Sequence, residues 1–90
     1  MPDFLEQHKR LNRTLIEFLI SELDLGFTLA SIAQVDKTSN VDHFNAALSK
    51  ARRAIETIRH FEGRVEDAQA LHSIQERTDQ LEKIISQLES

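Results

Sequence analysis

Apolar residues in the first third of the chain recur in steps of three, four and seven. One row runs Phe4, Leu11, Leu15, Phe18, Leu25, Leu29, Ile32, and a second runs Ile16, Leu19, Leu23, Gly26, Ala30, Ala33. Both rows fit the 3.6-residue period of an α-helix. A polar set, Glu17, Ser21, Asp24, Thr28 and Ser31, is spaced 4, 3, 4, 3 and forms a single solvent stripe. A turn near Ser21 would break that stripe, and no Pro or loop-type cluster supports one. The pattern predicts one helix over residues 3–37. Asp3 suits its N-cap, with Glu6 three positions on, and Gly26 marks the place for any bend.

Lys37-Thr38-Ser39-Asn40 is the first polar run with no apolar neighbour in it, and it predicts a loop. Ser39 or Asn40 can cap the next helix. That helix, over 41–62, has the cleanest pattern of the chain: Val41, Phe44, Leu48, Ala51, Ile55, Ile58, with Ala47, Ala54 and Phe61 as a flanking row. Gly63 suits a left-handed residue closing it. A third helix is expected over 64–89 from Leu71, Ile74, Thr78, Leu81, Ile85, Leu88. Val65 and Ala68 fall one step out of that pattern and predict a stutter in its first turns. Thr78 is a polar residue at a core-type position.

No run alternates with a period of two, and Leu, Ala, Glu, Gln, Lys and Arg dominate. The fold class is therefore all-α. Helices joined by short loops pack as an antiparallel three-helix bundle, here one domain over 1–90 with coiled-coil character. Gly26, Ala30 and Ala33 can face Ala47, Ala51 and Ala54, letting the first two helices approach closely. At about 1.5 Å per residue the helices span about 51, 31 and 38 Å, so the second ends beside the middle of the first. Residues 3–15 then overhang as an arm carrying Phe4, Leu5, His8, Leu11 and Leu15, which either bends back onto the bundle as a fourth helix or, as expected here, forms the interface of a homodimer.

Composition narrows the chemistry. The chain holds 11 Lys+Arg against 15 Asp+Glu, four His, two Gly and no Cys. Disulfides, thiolate metal sites and Cys nucleophiles are excluded. Glu56/His60 and His72/Glu76 are four apart and could each offer two metal ligands. Neither is joined by Glu-x-x-His or His-x-x-x-His, so no metal or other cofactor is expected. Glu66/Asp67 and Glu76/Asp79/Glu82 fall on outer faces, where no cleft would perturb them, and no enzymatic activity is expected.

Lys50, Arg52, Arg53 and Arg59, followed by Arg64, form the candidate anion-binding set. Asp42 and Glu56 interrupt it, and no aromatic residue interleaves it. Arg52 and Arg59 flank the apolar face, placed to cover the core edge or to pair with the acidic third helix. Thr14–Ala33 is the most apolar stretch, but Glu17, Glu22 and Asp24 within it argue against a membrane span. The start of the chain does not resemble a secretory signal, so a cytoplasmic protein is expected. The sequence thus predicts a small, non-enzymatic, self-associating protein–protein interaction module. The alternative is a regulatory protein that binds nucleic acid or another anionic partner through the basic face of the second helix.

Overall fold

The computed structural model describes residues 4–90. It contains α1 (Phe4–Asp36), α2 (Val41–Phe61), a 3₁₀ turn (Glu62–Arg64) and α3 (Ala68–Glu89). The three α-helices pack as an antiparallel bundle, and no strand occurs among the described residues. The N-cap expected at Asp3 lies outside the described residues. The molecule measures 58 × 21 × 16 Å with a radius of gyration of 15.7 Å, where a compact chain of this length has about 12 Å. It is a rod whose length is set by α1.

α1 runs without a break through Gly26. Its polar stripe of Glu17, Ser21, Asp24, Thr28 and Ser31 lies in solvent. The α1–α2 turn is closed by the Ser39 and Asn40 amides, both donating to Asp36 O at 3.2 and 2.9 Å. Asn40 caps α2: its side chain accepts from the His43 amide at 3.1 Å.

The α2–α3 connection departs from the sequence expectation. The chain tightens into the 3₁₀ turn, and Gly63 keeps a negative φ. A left-handed residue is not needed there, because the Glu62 and Val65 amides are taken up by Ile58 O and Glu62 O. Val65 then turns extended (φ −76°, ψ 119°), and α3 starts at Ala68, not Arg64, with Asp67 as its cap. The stutter expected at Val65 and Ala68 is this link: Val65 precedes the helix and plugs its side chain into the core.

The core forms two groups along the rod. Near the α1–α2 turn, Ala30, Ala33, Ala47, Leu48, Ala51, Ile55, Leu81 and Ile85 pack together. Near the α2–α3 link, Leu19, Leu23, Ile58, Val65 and Ile74 do so. Phe27 packs against both groups. Small residues let the helices close in: a Cβ on Gly26 would sit 3.7 Å from the Ala54 methyl and 2.5 Å from Leu81 Cδ2. Thr78 is fully buried, and its hydroxyl donates to Ile74 O at 2.6 Å, which satisfies the polar atom in this core position.

Candidate interaction surface

The two apolar rows of α1 have different fates. The row containing Leu19, Leu23, Gly26, Ala30 and Ala33 faces α2 and α3 and is buried. The row Phe4, Leu11, Phe18, Leu25, Ile32 is left on the outside, at 85, 70, 43, 49 and 46 % exposure. These residues recur every seven positions over the whole helix. Leu15 and Leu29 sit between them and are half-buried. His8, Glu22 and Asp36 complete an alternation of three and four from Phe4 to Asp36. This is the heptad spacing of a coiled-coil seam, and the bundle's own helices cover it only in part, at Leu15 and Leu29.

The row that holds the small residues takes the interior. Towards the turn end Gly26, Ala30 and Ala33 let neighbouring backbones approach, while nearer the link the same row buries Leu19 and Leu23. The larger row is displaced to the rim, where only its edges are covered. Phe18 meets Phe61 edge-on with ring centroids 6.2 Å apart, and the Arg64 guanidinium lies 5.2 Å from the centre of the Phe61 ring.

The arm is held more firmly than helix lengths alone indicate. Asn12 makes two hydrogen bonds to the α2–α3 link: its Nδ2 donates to Arg64 O at 3.0 Å, and its Oδ1 accepts from the Glu66 amide at 3.2 Å. His8 Nε2 and Glu66 Oε1 lie 2.5 Å apart. Leu15 packs against the second core group. Of the five arm residues singled out from the sequence, Phe4, Leu5 and Leu11 remain well exposed, at 85, 66 and 70 %. His8 is engaged by Glu66, and Leu15 joins the bundle. Asn12 was not legible as a clamp, since its partners lie more than fifty positions away. Phe18, Leu25 and Ile32 stand seven apart, but so do the buried Leu19, Gly26 and Ala33, so the spacing alone does not mark them as surface.

The candidate anion-binding residues are not gathered into one patch. Arg59 sits among three carboxylates, 2.6 Å from Asp79, 3.1 Å from Glu82 and 3.3 Å from Glu62. Arg52 pairs with Glu89. Both thus face α3, while Arg64 lies over Phe61. Lys50 and Arg53 are exposed on α2, with Lys50 beside a shallow depression also lined by Leu29, Ile32 and Ala46. Partial burial works against the charge of Arg59, but its hydrogen bonds to Asp79 and Glu82, with the added charge of Glu62, outweigh this and raise its pKa above the ordinary value. A raised pKa keeps the contribution intact at every pH below that ordinary value and loses it only in strong alkali. The network should therefore respond to salt and not to pH changes near neutrality through Arg59. Arg59→Ala is expected to cost about 1 kcal/mol at low ionic strength and visibly less in 1 M salt, measured by urea unfolding in both.

His72 lies 3.8 Å from Glu76, and the His60 ring meets Phe61 edge-on. Among the described residues, no group of three or more His, Asp or Glu is placed to hold a metal ion, and no helix is long and apolar enough to cross a membrane. Comparison with known protein families, characterised proteins and solved structures finds no match to this chain.

Proposed function

We propose that the protein is a non-catalytic protein–protein interaction module that self-associates through α1. The observation that carries this reading is the line of five large apolar side chains, each 43–85 % exposed, running the length of the helix. Burying a Leu, Ile or Phe side chain is worth about 1.5–3 kcal/mol, so leaving such a row in water is a substantial loss for a chain with a small core. A second surface of the same kind recovers it, and identical chains supply that surface at no cost in specificity.

Sedimentation equilibrium of the full chain tests the reading. A mass that rises from monomer to dimer with concentration is expected, and Phe18→Asp should shift the midpoint upward by at least about 100-fold, since the seam loses an aromatic side chain and gains a further carboxylate. A wild-type chain that stays monomeric at high micromolar concentration would overturn it. Retention on DNA that falls steeply with salt would favour an anionic partner instead.

A further inference from the structure

We infer that the two copies pair α1 against α1 in antiparallel fashion about a two-fold axis near residue 20, so that each arm lies on the turn end of its partner. The inference rests on the self-association proposed above and specifies its geometry. The seam positions are Phe4, His8, Leu11, Leu15, Phe18, Glu22, Leu25, Leu29, Ile32 and Asp36, taken in chain order along the rod. In an antiparallel pair the two heptad positions of one helix meet those of the other in reverse order. The pairing in which residue numbers of facing positions add to 40 uses every one of them. It sets Leu11 against Leu29, Leu15 against Leu25 and Phe18 against Glu22 of the other copy.

Three features favour this arrangement. In a parallel pair Glu22 would face Glu22 and Asp36 would face Asp36, and like charges in one layer repel. In the antiparallel pair each acidic position meets an aromatic residue, and the helix dipoles oppose one another favourably. Phe4 and Leu11, at 85 and 70 %, are the most exposed apolar positions of the seam and belong to the arm. Antiparallel pairing lays them over the turn end, where Leu29, Ile32 and Ala46 border a shallow depression between α1 and α2. The area also suffices: a contact about 49 Å long and about 10 Å wide removes roughly 500 Å² from each copy. The total of about 1,000 Å² reaches the lower bound for a specific interface.

The chain has no cysteine, so a single introduced thiol carries a spin label at one known place. Ser21 and Gln7 are exposed on α1. Pulsed electron–electron dipolar distances on S21C and Q7C, each labelled in the full chain, discriminate the arrangements. The inferred geometry places the residue-21 labels within about 20 Å of each other. It places the residue-7 labels about 39 Å apart, because residue 7 faces residue 33 and the two sites are 26 residues apart at about 1.5 Å each. Short distances at both sites would overturn the antiparallel orientation. A residue-7 distance near 28 or 50 Å would mean a pairing slipped by one heptad and overturn the assigned alignment. A sedimenting dimer with a long residue-21 distance would place the interface off α1. A chain that is monomeric by sedimentation and gives no dipolar signal would remove the self-association itself.

Discussion

Leu81→Ala is expected to lower the unfolding free energy by about 3–4 kcal/mol and to make room for a side chain at position 26. Leu81 is fully buried in the core group nearer the α1–α2 turn. Its Cδ2 stands where a Cβ on Gly26 would come within 2.5 Å, closer than real Cβ contacts allow. In the native background Gly26→Val therefore overpacks, at an expected cost of about 2 kcal/mol, despite the small gain in helix propensity. With Leu81 shortened, the valine methyls enter the space left behind, and most of that cost should vanish. A double-mutant cycle by chemical denaturation should give a coupling of at least about 1 kcal/mol between the two positions. Additive losses would mean that α1 and α3 do not approach at this point.

A second large effect is expected at a residue outside every α-helix. Val65 lies in the extended link before α3, yet only 6 % of its surface is exposed, and it packs with Leu19, Leu23, Ile58 and Ile74. Val65→Asp puts a carboxylate into that apolar group, and the cost should exceed about 3 kcal/mol. Val65→Ala only shortens the plug and should cost roughly 1–2 kcal/mol. Thermal unfolding by circular dichroism separates the two. Similar small shifts for both would show that the link is not part of the core.

These two positions also mark where the sequence was and was not legible. The three helices, the loop at Lys37–Asn40 and the cap at Asn40 follow from local patterns, because a 3.6-residue period and a polar cluster are visible within one window. Val65 reads as an error of phase when the third helix is assumed to start at Arg64. The signal that corrects it is Asp67, a good N-cap standing just before Ala68. The glycine at 63 suggested a left-handed stop, but a 3₁₀ turn disposes of the same amides without one. The two apolar rows of α1 were visible, and their ranking was not. Which row is buried depends on what α2 and α3 present to it, and that is a property of the packed bundle. The clamp of Asn12 and the carboxylates around Arg59 join elements far apart in the chain, so no local pattern could announce them.

The division of the core into two groups in line, with Phe27 touching both, has a consequence for how the molecule opens. A spherical core fails all at once, since every residue shares neighbours with every other. Here the turn end and the link end are expected to open as distinct units, coupled through the continuous backbones of α1, α2 and α3 and one shared ring. Opening one end costs only its own part of the total free energy. Graded stability is the expected outcome, with the α2–α3 link exchanging its amides with solvent sooner than the helices around Ala30, Ala51 and Leu81.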